Sequence, residues 1–336
     1  MRPVSTRLRA GLLASCTALA ALAAAGPASA DAASAANAAP ASAAATTSAS
    51  AASASATQLA GDWAPFSRCP VDDPAMLAAD GRTDIVQCIA SHSASGSIKL
   101  GSTQVVTGAS DLQVGVVQHT GGTNSLVAPA GGALIADSAD IPGGLLGLMC
   151  PSDIPVISGI CRQITNGTLN RVTATVESAG APTDFNLTAG ATSGQPIIAI
   201  PIRIHLQNPF LGGSCYIGST AHPIILRPQN ATAPTLGIQR FDGNGTPNTA
   251  GDMNRLSLVN ANQTDTTFAV PGASGCGLAG LLDWAVNLKT GLPAGAGENS
   301  VVLASASTYL AGLHAPGTVV PDNGKLLSQY WHSAAQ

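Results

Sequence analysis

The sequence predicts a mainly β fold: an antiparallel β-sandwich or barrel stapled by disulfides, with one short helix near residues 278–290. Three observations lead there. Glycine and proline, 37 and 22 of 336 residues, punctuate the chain throughout. Between them lie short segments in which apolar and polar residues alternate, the period-two pattern of half-buried strands. Six of the seven cysteines fall beyond residue 60, an even set that suits an oxidising compartment.

Residues 1–30 read as a secretory signal peptide. Arg2, Arg7 and Arg9 precede an apolar run from Ala10 to Ala25, and Ala28-Ser29-Ala30 supplies a small-residue cleavage site. The run is shorter than the roughly twenty residues that span a bilayer. Leu13-Ala14-Ser15-Cys16 resembles a lipidation site, but the apolar run continues well past Cys16. The expected product is therefore a secreted chain that begins at Asp31, with no later stretch apolar enough to cross a membrane.

Residues 31–58 hold 15 Ala, 6 Ser and 3 Thr in 28 positions. No large apolar side chain is present to repay the entropy of ordering, so this segment is expected to be a disordered tether. Residues 59–336 then form the β-rich domain, as one body or as two subdomains split near residue 180. Without the signal peptide, Lys plus Arg falls to 11 (14 less 3) against 18 Asp plus Glu, a formal charge of −7. An acidic chain with dispersed basic residues has no electrostatic footprint for nucleic acid. Only 10% of residues are charged, and glutamate occurs only at Glu177 and Glu298, so few groups exist for acid–base chemistry.

Strands are expected at Ser97–Leu100, Gln104–Thr107, Leu112–Gln118, Arg171–Glu177 and Asp184–Thr188. The strongest is Pro196–Gln207, where Ile198, Ile200, Ile202, Ile204 and Leu206 share one face and Arg203, His205 and Gln207 the other. Pro201 cannot donate to a ladder, which predicts an edge strand or a bulge. Further strands are expected at Cys215–Gly218, Pro223–Leu226, Arg255–Val259, Thr266–Val270 and Ser300–Leu310. The helix is read from Leu278, Leu281, Leu282, Ala285 and Leu288, with Trp284 beside them and Gly291 and Pro293 ending it. It is expected to cover one end of a sheet.

Fifteen pairings of Cys69, Cys88, Cys150, Cys161, Cys215 and Cys276 are possible. The sequential set, Cys69–Cys88, Cys150–Cys161 and Cys215–Cys276, is favoured because sequence neighbours meet most readily among short strands. No Cys-x-x-Cys points to zinc.

No intact catalytic, metal or cofactor motif is found, and none is assigned. Gly272-Ala273-Ser274-Gly275-Cys276 lacks the last glycine of a nucleophile elbow. Asp242 to Asn248 departs from a calcium loop at the turn glycine and the terminal acid. Asp72 and Asp73 are adjacent and need not face one cleft. Asn-x-Thr sequons at Asn166, Asn186, Asn230, Asn244 and Asn262 suggest surface turns. His205 and His222 are the residual candidates for a metal or acid–base pair, if their strands lie side by side.

The stretch Pro201 to Gly218, with Pro223-Ile-Ile-Leu, Phe268 to Gly277 and Gly291 to Asn299, is similar to exported actinobacterial proteins known only as uncharacterised secreted proteins. The resemblance implies secretion and the Cys215–Cys276 pairing, and brings no activity, substrate or cofactor. The reading that follows is a secreted or cell-wall-associated, non-enzymatic β protein acting in surface structure, adhesion or ligand binding. Its partners would be cell-wall polymer or another surface protein. The alternatives are an extracellular hydrolase of wall polymer or polysaccharide, and a carrier of an apolar ligand. A deep apolar cavity favours the carrier; converging Asp and His in a cleft favour the hydrolase.

Overall fold

A computed structural model describes residues 57–149, 169–241, 247–251, 253–314 and 318–335. The signal segment, nearly all of the tether, the Cys150–Cys161 pair and most of the Asp242–Asn248 loop lie outside these residues.

Most of the alternating segments become strands, and β1 (Asp84–Ser93) opens a single antiparallel sheet. It bends at Ala94 into β2 (Ser95–Leu100), which pairs with β3 (Thr103–Thr107). Next come β4 (Ser110–His119), β5 (Asn124–Val127), β6 (Leu134–Ala136), β7 (Ala139–Asp140) and β8 (Thr173–Ser178). The strong isoleucine segment forms β9 (Ile200–Gln207), followed by β10 (Tyr216–Ile217), β11 (Ile224–Leu226), β12 (Gln229–Asn230) and β13 (Thr235–Phe241). The last are β14 (Met253–Asp265), β15 (Ala273–Ser274) and β16 (Ser300–Leu313). The helices are short: α1 (Pro74–Leu77), α2 (Gly144–Met149), α3 (Leu187–Ala191), α4 (Asp283–Thr290) and α5 (Asn323–Ser333).

The hydrogen-bonded order β12-β14-β16-β1-β4-β6-β8-β9 returns to its start. The residues just before β9 bond to β12: Pro196 bridges Gln229, and Ile197 N–H donates to Pro228 O at 2.9 Å. Eight strands around such a ring enclose an interior wide enough for side chains or one small ligand. β8 is bonded to β6 on one side and β9 on the other, so the sheet runs across position 180 without a break.

Side-chain parity divides the apolar residues into two cores. The larger fills the ring and takes Ile89 from β1, Val114 and Val116 from β4, and Ile200, Ile202, Ile204 and Leu206 from β9. The smaller lies on the outside of β1, β4 and β16. There Val86, Cys88 and Ala90 meet Trp63, Phe66, Met76, Leu327 and Trp331. β1 is thus buried on both faces, and the Cys69–Cys88 disulfide staples the N-terminal segment to it. Gly115 on β4 permits this packing, because a Cβ there would lie 2.2 Å from Met76 Sδ.

Several expectations are corrected. β9 is not an edge strand, being paired with β8 on one side and with β10 and β11 on the other. Pro201 is accommodated because its missing donor falls opposite Ala179, one residue past the end of β8. Asp184–Thr188 is not a strand; Asn186 instead caps α3 by accepting from Ala189 N–H at 3.1 Å. Thr266–Val270 forms no strand beyond the single bridge from Val270 to Ala294. Asn230 is buried, not on a surface turn, and donates to the carbonyls of Gly190 and Thr192. The helix near 278–290 starts late. A 3₁₀ turn at Leu278–Gly280, with Ala279 at φ 51°, breaks the helical period before α4 begins at Asp283. Its buried side is consequently Leu282, Ala285, Val286 and Thr290, and the leucines of the expected stripe at 278, 281 and 288 face solvent.

Candidate ligand site in the barrel interior

Alternation along β9 sends Ile200, Ile202, Ile204 and Leu206 inward. Across from them stand Ile98 and Leu100 of β2, Val105 of β3, and Val301 and Leu303 of β16. The two walls do not meet. They leave an apolar cavity of about 100 Å³. A second cavity of about 60 Å³ lies beyond it, among Leu112, Phe185, Leu187, Ile197 and Leu258. Ser110, Leu134, Ile200, Pro228 and Leu303 line both, so the two cavities are neighbours that share a wall. Each end has a helical plug: Leu148 of α2 and Thr290 of α4 line the first cavity, Leu187 and Gly190 of α3 the second.

Such space has a physical consequence. A void of this size lined by branched aliphatic residues forfeits dispersion contacts on its walls and offers water almost no polar partners. An apolar cavity of about 150 Å³ stays dry and takes up a benzene-sized guest. The polar groups on the first cavity's lining are chiefly the hydroxyls of Thr103, Thr107, Ser110 and Thr290 and the carboxylate of Asp137, and the second adds Ser91, Ser93, Gln263 and Thr308. Thr290 Oγ1 already donates to Val286 O, at 2.6 Å, and Asp137 accepts from Ala109 N–H at 3.0 Å.

The β2–β3 hairpin roofs the first cavity. β3 is bonded to β2 only, and its outer edge lies beside β7 without a ladder between them. The turn of the hairpin hangs from α4: Ser102 N–H donates to Thr290 O at 2.8 Å and Ser102 Oγ to Lys289 O at 2.9 Å. Asn299 completes the attachment by accepting from Gly101 N–H at 2.9 Å.

The outer face of β9 holds one histidine of the candidate pair, and the other does not lie beside it. Register places Tyr216, not His222, opposite His205. His222 sits in the loop that bulges out between β10 and β11, exposed, with its N–H donating to Ser219 Oγ. The reason is the six residues from Gly218 to Pro223, which leave the ladder before Ile224 rejoins it opposite Ile202. His205 instead stacks on the Tyr216 ring, centroids 4.4 Å apart, with Nδ1 3.3 Å from Glu177 Oε1. Arg203 lies over the same ring at 4.5 Å and pairs with Glu177 Oε2 at 2.8 Å. A cation over an aromatic face, closed by a carboxylate, is a self-satisfied cross-strand cluster. His205 Nε2 is buried without a partner. Among the described residues no three His, Cys, Asp or Glu side chains converge as a metal would require.

A second histidine was not singled out from the sequence. Asp72 accepts from Ser328 Oγ at 2.8 Å and from His332 Nε2 at 2.9 Å. Burial works to raise the Asp72 pKa, but the hydrogen bonds from His332 and Ser328 and the charge of His332 outweigh it and hold it low. The three residue types are those of a hydrolase triad, yet the carboxylate stands between serine and imidazole. Nucleophilic activation needs the imidazole on the hydroxyl, so this trio pins α5 to the segment after Cys69. No local sequence signal marks it, because 256 residues separate Asp72 from Ser328.

The second described disulfide joins Cys215 to Cys276, both fully buried, and ties the loop before β10 to the 3₁₀ turn leading into α4. Ser274, in the string that falls short of a nucleophile elbow, lies in β15 opposite Tyr216. No family model, curated protein or solved structure matches the chain.

Proposed function

We propose that the protein is an exported, non-enzymatic β protein that holds an apolar ligand in the interior of its barrel. The observation that carries this reading is the apolar cavity between β9 and the β2–β3 hairpin, with its wall of Ile98, Leu100, Val105, Ile202, Ile204 and Leu206. The hydroxyls and the Asp137 carboxylate at the rim suit a ligand with one polar end. Surface structure and adhesion, the other non-enzymatic roles, need no interior space. The hydrolase reading gains no support from Asp72, Ser328 and His332 in their observed order.

Export is supported by the signal-like residues 1–30 and by the disulfides. Residues 31–58 have the composition of a spacer able to stand in cell-wall polymer, and the likeness to exported actinobacterial proteins agrees with that address.

The test is binding of N-phenyl-1-naphthylamine, whose emission rises in an apolar site. Saturable binding that a long-chain primary alcohol displaces is expected. Val105→Phe puts a larger side chain into the void and is expected to weaken probe binding tenfold or more, with an unchanged circular dichroism spectrum. Absence of saturable binding to the purified protein would return the choice to surface structure or adhesion.

A further inference from the structure

We propose that the outer face of α4 and of the turn before it is a docking surface for a zwitterionic lipid bilayer, at the end of the barrel that holds the ligand. This inference rests on the ligand reading above and gives it a source for the guest. Leu278 and Leu281 of the turn and Trp284 and Leu288 of α4 are 84%, 67%, 67% and 77% exposed, the last two at i,i+4 spacing on one side of the helix. Phe210, 56% exposed, belongs to the neighbouring loop, which is tied on by Gly277 N–H donating to Leu211 O at 2.7 Å and by the Cys215–Cys276 disulfide. These are five of the eleven exposed large apolar side chains among the described residues. Clustered exposure of that kind marks an interaction surface, whereas scattered single residues do not.

What the surface meets follows from what lies behind it. α4 is apolar on both sides: Val286 belongs to the barrel core, and Thr290 lines the cavity. Its last turn also carries the β2–β3 hairpin through Ser102. The patch therefore backs on the one place where the roof and the end plug of the cavity are joined. A hydrocarbon guest is scarcely soluble in water and resides in a lipid phase, so a site that takes it up is served by an apolar face at the cavity's end. The helix offers one acid and one base, Asp283 and Lys289, and the Asp283 carboxylate is turned inward onto Cys276 N–H at 2.7 Å. The helix is formally neutral, and the chain without its signal peptide carries −7, which disfavours an anionic surface. Trp284, with its amphipathic ring among leucines, is the side chain that settles at a lipid–water boundary.

The experiment uses phosphatidylcholine vesicles and the intrinsic fluorescence of the purified protein. Trp63 and Trp331 are buried, so Trp284 reports on the patch alone. Vesicles are expected to blue-shift the Trp284 emission, and brominated phosphatidylcholine to quench it. A Leu281→Ser, Leu288→Ser double variant should lose at least tenfold in vesicle-bound fraction on flotation while keeping its circular dichroism spectrum. Trp284→Phe should abolish the optical signal and preserve flotation. The proposal is overturned if neither flotation nor a blue shift occurs. It is also overturned if light scattering shows a dimer that the double variant dissolves, since the face would then meet a second copy. Shielding of Trp284 from acrylamide in the monomer would overturn it too, because the chain would then cover the face itself. Probe binding without vesicles is read separately. If the probe binds and vesicles do not, docking alone fails; if vesicles bind and the probe does not, docking stands and the interior reading fails.

Discussion

Ser102 hangs from Thr290: its N–H donates to the Thr290 carbonyl at 2.8 Å, and the residue on either side of this contact belongs to a different part of the ligand site. Ser102 is the turn of the hairpin that roofs the cavity, and Thr290 is the last residue of the helix that plugs its end. β2 is laddered to β16 as far as Lys99, but β3 has no ladder beyond β2 and the plug is a helix. A bond between them makes the two move together, so opening one loosens the other. Ser102→Pro removes the donor and is expected to raise hydrogen exchange in β2 and β3 together with α4. Exchange raised in the hairpin alone would uncouple them.

The cavity makes a prediction about stability. Ile202 is fully buried in the middle of β9 and faces the void. Ile202→Ala enlarges a space that is already unfilled, so relaxation offsets little of the loss. A destabilisation of about 2–5 kcal/mol is expected in urea denaturation. A cost under about 1 kcal/mol would show that the walls close over the space.

The parts of this fold that were legible in the sequence are those with one wet face. β9 alternates cleanly because its outer side carries Arg203, His205 and Gln207, so Pro196–Gln207 reads as a strand, although Pro201 misleads about its place in the sheet. β1 was missed because Val86, Cys88 and Ala90 serve one core and Ile89 the other, which erases the period. α5 was missed because its apolar residues Leu326, Leu327, Tyr330 and Trp331 are diluted by polar ones and Asp322 at its start gives no side-chain cap. The α4 segment is legible as a helix, and Leu282 and Ala285 of its stripe do face inward, but the positive φ at Ala279, which leaves no mark in composition, takes Leu278 and Leu281 out of the helical period. The cavity wall was legible as strands, but not as a cavity. Whether opposing apolar walls touch depends on the curl of the sheet, set by long-range closure between residues 196 and 229.

Asp80 carries a pH prediction. Its carboxylate accepts from the backbone N–H groups of Arg82, Thr83 and Asp84 at 2.8, 2.7 and 3.2 Å, and from Thr83 Oγ1 at 3.1 Å. The backbone bonds from Arg82, Thr83 and Asp84, in that order, lower its pKa from the usual 3.8 to about 2. A depressed carboxylate stabilises the fold fully above its unfolded value and ceases to do so as pH falls through its folded one. The Asp80 contribution is therefore complete above about pH 4 and fades between there and pH 2. Carbon-detected titration should find the Asp80 carboxyl near 2, and Asp80→Ala should be less stable than the parent at pH 7 and lose that deficit near pH 2. An Asp80 titration near 3.8 would contradict the bonding.

The disulfide between Cys215 and Cys276 spans 61 residues and closes a larger loop than Cys69–Cys88, which spans 19. In the chain-entropy model the first contributes about 4 kcal/mol and the second about 3. Paired Cys→Ala replacement of each should reproduce that order in urea. Non-reducing peptide mapping should recover the Cys215 and Cys276 peptides joined; recovery of either as a free thiol would reject the framework.

Gly324 supplies the sharpest local test. It is the second residue of α5, where an alanine ordinarily gains about 0.5–1 kcal/mol over glycine by limiting the unfolded chain and favouring the helix. Here the helix backbone is pressed against the end of α1: Gly324 N–H donates to Ala79 O at 3.1 Å, and a Cβ on Gly324 would stand 2.0 Å from Met76 O. The atom in the way is main chain and cannot rotate aside, so α5 must lift. That movement would disturb the packing of Leu327 and Trp331 in the smaller core and the bond that Val86 N–H donates to Asn323 Oδ1. Gly324→Ala is therefore expected to destabilise the protein by about 1–3 kcal/mol, the range for overpacking, despite its helix preference. Thermal unfolding followed by circular dichroism decides it. A rise in midpoint would show that helix propensity prevails and that α5 does not sit this close to α1.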